Sequence, residues 1–70
     1  MKEGILYYDE ASDRMDIQFH SGGKYGGLHC GDCFDVWVDN QWTPTRIEMG
    51  RKWYLVGVNT DHLPGLSVRM

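Results

Sequence analysis

Cys30 and Cys33 are spaced C-x-x-C within His29-Cys30-Gly31-Asp32-Cys33. Thiolates three residues apart can grip one metal ion from a tight glycine-bearing turn, as in half of a zinc ribbon or knuckle. A structural zinc site needs four ligands, usually as two pairs, and the chain has no second C-x-x-C. Completing a two-cysteine, two-histidine set would take His29, His62 or His20, with two glycine-containing loops folded against each other. The competing reading is a Gly-Asp turn flanked by two small thiols. Redox chemistry is disfavoured, because a reactive C-x-x-C draws its low thiol pKa from a helix N-terminus. Cys33 instead opens a strand pattern.

Other polar groups assemble less. Asp61-His62 resembles part of a catalytic pair, but no Ser or Cys nucleophile has a context that singles it out. His20, Lys24, Tyr25 and His29 decorate a glycine-rich stretch, yet Gly22-Gly23-Lys24-Tyr25-Gly26-Gly27 matches no nucleotide fingerprint. A phosphate cradle needs such a loop to run into a helix N-terminus. This stretch reads as a flexible connector. With no nucleophile, acid–base pair or cofactor motif, the expectation is a protein that is not an enzyme and holds no cofactor.

One surface has more promise. If Phe34, Val36 and Val38 point inward, Asp35 and Trp37 point outward. On the return strand, alternation sets Trp42, Pro44, Arg46 and Glu48 on one side and Thr43, Thr45, Ile47 and Met49 on the other. Pro44 cannot donate a ladder hydrogen bond, so it marks an edge or a bulge and leaves the phase across it open. Trp37, Arg46, Glu48 and one of Trp53 or Tyr54 can then share a shallow patch. Aromatics beside an arginine and a carboxylate suit peptides, often proline-rich or charged ones. In the opposing reading, Trp42 and Trp53 plug the ends of a barrel while Arg46 and Glu48 pair across the sheet.

The elements that must position these groups are strands. Lys2 to Tyr8 is apolar on both faces. Asp9 to Asp13 turns the chain into Arg14 to Phe19, where Met15, Ile17 and Phe19 alternate with Asp16 and Gln18. After the glycine-rich stretch come Cys33 to Val38, an Asp39-Asn40-Gln41 turn, and Trp42 to Met49. Gly50-Arg51-Lys52 leads into Trp53 to Val58, and a second loop into Leu66 to Met70. No segment sustains a 3.6-residue apolar period. Short strands at regular spacing predict an all-β fold of five to six strands, either a small SH3-like barrel or a strongly bent antiparallel meander. A β-sandwich or roll ranks next. The expected core is Ile5, Tyr7, Met15, Ile17, Phe19, Phe34, Val36, Val38, Ile47, Leu55 and Val68.

Seventy residues make one domain over residues 1–70. A chain this short buries only about 60% of its unfolded surface, so it gains from bulky aromatics. The net charge of −3 argues against a general nucleic-acid binder, which shows a basic patch. No apolar run approaches the roughly 18 residues of a membrane span, nor is there a signal peptide's apolar region. Two cysteines make no secreted disulfide framework, which points to the cytoplasm.

A longer pattern is family-like. Leu28-His29-Cys30-Gly31-Asp32, Val36, Trp42, Thr45-Arg46-Ile47-Glu48, Trp53-Tyr54-Leu55-Val56-Gly57 and Gly65-Leu66-Ser67-Val68-Arg69 span most of residues 28–69. The chain thereby resembles a family of short bacterial proteins catalogued as a domain of unknown function. The resemblance implies a compact β fold and no activity, cofactor or catalytic residue. The leading functional expectation is a non-enzymatic module that presents Trp37, Arg46, Glu48 and Tyr54 to a protein or peptide partner. The alternatives are a zinc domain through Cys30, Cys33, His29 and His62, or a nucleic-acid-binding barrel with stacking aromatics. Exposed tryptophans on a small core also favour a weak homodimer.

Overall fold

Alternating runs punctuated by glycine and Asp/Asn turns become six strands: β1 (Glu3–Asp9), β2 (Arg14–Phe19), β3 (Cys33–Val38), β4 (Gln41–Met49), β5 (Trp53–Leu55) and β6 (Ser67–Arg69). The computed structural model describes residues 1–70 and contains no helix, hence none that could cross a membrane. The strands form one sheet in the order β2-β1-β6-β3-β4-β5, with every neighbouring pair antiparallel. The β1–β2 hairpin and the β3-β4-β5 meander are local. The closing strand β6 inserts between them, with Val68 opposite Gly4 on one side and Val36 on the other.

The ladder stays open between β2 and β5, yet buried side chains from all six strands meet in one cluster. A single sheet achieves that only by curling around its inner face. Val58, Leu66 and the two loop leucines, Leu28 and Leu63, add to the interior, and both leucines are buried. Neither leucine stands out in the sequence, because each lies in a glycine- or proline-bearing loop with no periodic neighbours.

The first strand has the opposite phase to the one expected. Leu6 is fully buried, whereas Ile5 and Tyr7 are half-buried on the outer face. Its register explains the exchange: Leu6 lies opposite Ile17 and Gly4 opposite Phe19, while Ile5 faces Gln18 and Tyr7 faces Asp16. An evenly apolar strand has no phase of its own, so its partner sets it. Val38 sits at the core margin rather than inside. The fifth strand is shorter than expected, because Gly57 turns the chain at φ 77° just past it.

The glycine-rich stretch is not a flexible connector. It runs back along β2, with the N–H of Tyr25 donating to the carbonyl of Ile17 at 3.0 Å and that of Leu28 to Met15 at 2.8 Å. Phe19 N–H donates in turn to Gly23 at 3.0 Å. The outer edge of β2 is thus covered, which removes a pairing-prone strand edge.

The β3–β4 hairpin closes through Asp39 and Asn40, at φ 52° and 62°, between the paired residues Val38 and Gln41. Positive φ at both positions is the primed two-residue turn whose twist matches the strands. Asn40→Gly is therefore expected to be neutral or slightly stabilising, and Asn40→Val to cost about 1–2 kcal/mol in urea denaturation. Equal stabilities for the two variants would mean that the turn relaxes out of this conformation.

Candidate functional site

Strand β4 organises the outer surface. Its pairing with β3 is continuous from Cys33–Arg46 to Val38–Gln41, so no bulge interrupts the phase at Pro44. The carbonyl of Arg46 accepts the N–H of Val56 at 3.0 Å, which shows that even-numbered residues of β4 turn their backbone away from β3. Pro44 lies on that side, beyond the end of β5, where no ladder donor is lost. Burial places Thr45 and Ile47 on the core face, and the Thr45 hydroxyl donates to the Val56 carbonyl at 2.8 Å. Val56 is clamped from both sides by the Thr45-Arg46 pair.

Trp42, Pro44, Arg46 and Glu48 face outward, as the alternation implies. Trp37 lies opposite Trp42, and Tyr54 opposite Glu48. All four expected patch residues therefore share the outer face. Trp37 is 43% exposed and Tyr54 44% exposed. They form two groups, separated by Pro44, rather than one.

In the first group, Trp37 meets Trp42 edge-on, with ring centroids 5.3 Å apart and planes at 69°. The Arg69 guanidinium lies over Trp42 at 4.6 Å and its Nε donates to Asp35 at 3.0 Å. An aromatic pair of this geometry adds about 0.5–1.5 kcal/mol beyond its buried area, and the stacked cation about 0.5–1 kcal/mol more. Both tryptophans are thus held in place. Trp42 does not plug a barrel end; its ring is half-buried on the outer face because Trp37 and Arg69 cover it. Trp53 packs at the core margin, with its indole N–H buried and unpartnered.

In the second group, Arg46 Nε donates to Glu48 at 2.9 Å. The pair runs along one strand, not across the sheet, since residues two apart share a face. With the Arg46 side chain 53% exposed, it contributes at most about 1 kcal/mol. The two groups border different depressions. A hollow of about 360 Å³ lies among Glu3, His20, Trp37, Trp42 and Ser67. A shallow groove of about 680 Å³ runs beside Phe34, Pro44, Arg46, Val56 and Met70.

The metal alternative does not assemble. Cys30 and Cys33 are both free and exposed, and no three Cys, His, Asp or Glu side chains converge on a common point. The Cys30–Cys33 turn is tied internally. The N–H of His29 donates to the Asp32 carboxylate at 2.8 Å and the Cys33 thiol to the Gly31 carbonyl at 3.4 Å. His62 bonds locally, its N–H donating to the Thr60 hydroxyl at 3.3 Å.

A residue without promise in the sequence is the best satisfied. Asp16 is 4% exposed on the outer face of β2, beneath the returning loop. Its Oδ1 accepts the N–H groups of Ile17 at 2.8 Å and Gly26 at 3.0 Å, and its Oδ2 the Tyr7 hydroxyl at 3.1 Å. Burial pushes its carboxyl upward, but the backbone donors of Gly27, Ile17 and Gly26, with Tyr7, outweigh that and hold it below the ordinary range. Burial, and then Asp16 itself, raise the Tyr7 hydroxyl. Gly26 and Gly27 adopt φ 108° and 100°, which aims their N–H groups at the carboxylate. Two glycine pairs downstream of a mid-strand aspartate are the signal that could have exposed this latch, because Asp is depleted in strands.

A family model described as a domain of unknown function (DUF5348) matches residues 4–70. The chain belongs to this family. A crystal structure of a protein from Ruminococcus gnavus, solved by a structural genomics consortium, is similar to it at 58% identity. The match covers 99% of this chain and 100% of that one, with a TM-score of 0.91. A comparison with curated proteins gives no match. Within DUF5348, the Thr45-Arg46-Ile47-Glu48 and Trp53-Tyr54-Leu55-Val56-Gly57 stretches of this chain have a structural account: Thr45, Ile47 and Leu55 build the core and anchor Val56, while Arg46, Glu48 and Tyr54 remain outside.

Proposed function

We propose that this SH3-like barrel is a non-enzymatic interaction module of the cytoplasm that binds a protein or peptide segment across the outer face of the β3–β4 hairpin. The observation behind this reading is the exposed Trp37 ring, held edge-on against a half-buried Trp42 that Arg69 and Asp35 fix from the other side. An apolar ring fixed in water before binding loses little conformational freedom on contact, which is what a binding hot spot requires. Arg46, Glu48 and Tyr54 extend the surface along the same face with polar contacts for the rim.

Trp37→Ala and Arg46→Ala test the reading. Neither side chain is in the core, so both variants are expected to fold: Trp37→Ala loses the edge-on contact with Trp42 and part of its burial, about 2 kcal/mol in urea denaturation, and Arg46→Ala less than about 1 kcal/mol. Binding to a partner isolated with the wild-type protein is expected to weaken about tenfold or more for Trp37→Ala, and less for Arg46→Ala at the rim. Unchanged affinity for both variants would remove the patch from consideration.

A further inference from the structure

We infer that the hollow beside Trp37 and Trp42 receives a cationic side chain, an arginine or lysine of the bound segment; this rests on the peptide-binding reading above. Its walls are the two indoles on one side and Glu3 and His20 on the other, with Ser67 between. The small Ser67 side chain leaves depth there. It precedes Val68 and Arg69 along β6, whose partners in β3 are Val36 and Asp35, so the antiparallel register brings it beside Trp37. Ile5 is its partner on the β1 side.

The electrostatics favour a cation. Asp35 is matched by Arg69 at 3.0 Å, whereas Glu3 takes part in neither ion pair of the domain. Lys2, its chain neighbour, is turned away over the Phe19 ring at 5.5 Å. Arg69 is the ladder partner of Glu3, but its Nε is taken by Asp35, so these three side chains leave one carboxylate in excess at the rim of a domain of net charge −3. Indole faces attract guanidinium and ammonium groups through the ring quadrupole. The Arg69 guanidinium, 4.6 Å from the Trp42 centroid, already shows this preference within the fold. Trp37, without a stacked cation of its own, is the face left for a ligand. A proline or aliphatic anchor would use the same rings and make no use of Glu3.

The test is an NMR titration of ¹⁵N-labelled full-length protein with three probes. They are Nα-acetyl-arginine methylamide, its neutral citrulline counterpart, and an uncharged proline hexapeptide. The arginine probe is expected to shift the Trp37 and Trp42 indole signals and the Gly4 and Ser67 amides. The citrulline probe is expected to bind about fivefold more weakly, because the ring and carboxylate attractions are both lost. Glu3→Gln should bring the two probes within about twofold of each other while leaving the proline hexapeptide unaffected. Equal binding of the arginine and citrulline probes to wild type overturns the inference, as does a preference that stays about fivefold in Glu3→Gln. If the proline hexapeptide still shifts Trp37 in either case, the peptide-binding reading stands without a cationic anchor. If no probe moves these signals, both fall. Shifts that follow protein concentration alone would mean that a second copy covers this face, and they too overturn the inference.

Discussion

Gly4→Ala is expected to cost about 3 kcal/mol, a large part of the roughly 4–10 kcal/mol that a domain of this size has in total. Gly4 lies in the middle of three strands, opposite Phe19 in β2 and Val68 in β6. A Cβ built there would come within 2.9 Å of both the Phe19 Cα and the Ile17 Cγ2, and closer still to the Gln18 carbonyl oxygen. Two of those three atoms are backbone, so no rotamer change relieves the contact. Strand β1 would have to separate from β2, and Leu6 would lose its seat in the core with it. The expected melting temperature falls by about 15 °C. Gly50→Ala is the control, since its Cβ would meet nothing nearer than the movable Tyr54 ring at 3.4 Å, with the Lys52 carbonyl oxygen at an ordinary 4.0 Å. A Gly4→Ala protein melting within a few degrees of wild type would contradict the close approach of these strands.

Asp16→Asn is expected to cost about 2 kcal/mol, because charge-assisted bonds from buried backbone donors are replaced by weaker neutral ones and an amide N–H₂ faces donors. Beyond the urea midpoint, hydrogen exchange should show the Gly26 and Gly27 amides losing protection while the β3–β4 ladder keeps its own. That pattern separates a released loop from general unfolding. The pH dependence has a definite sign. Asp16 has a lower pKa folded than unfolded, so its contribution is fully present above the unfolded value near 3.9 and disappears as pH falls through the lower folded value. The stability difference between wild type and Asp16→Asn should therefore be constant above about pH 5 and shrink in acid. A difference that grew on acidification would assign the carboxylate another role.

The latch also shows where sequence reasoning stopped. Alternation placed Asp16 on the outer face of β2 correctly, but alternation treats an outward position as solvent. Residues 23–28 fold back over that face, so an outward carboxylate became a buried one. The same blindness affected β1. Ile5, Leu6, Tyr7 and Tyr8 fit either phase equally, and only the register against Met15, Ile17 and Phe19 chose Leu6. Strands β2 and β3 were legible to the residue, since apolar side chains at every second position fix the inward face; β4 begins one residue earlier than expected, and only the unbroken pairing with β3 settles its phase across Pro44.

The outer patch was half legible. Its membership follows from alternation, and Trp37, Arg46, Glu48 and Tyr54 do share one face. Its division into two groups, and the clamping of Trp42 by Arg69, depend on β6 lying beside β3. Residues 35 and 69 are 34 apart in the chain, and no local pattern announces that pairing.

Period-two alternation and glycine or Asx turns, both properties of a few neighbouring residues, determined by themselves that the chain is all-β, where most strands begin and end, and which side chains of β2 and β3 face outward. Tertiary structure alone decided the strand order, the phase of β1, the Asp16 latch and the hollow between Glu3 and Trp37. Each of those needs segments distant in sequence to meet, and the free energy that selects the meeting lies in shared burial and satisfied backbone groups rather than in either segment alone.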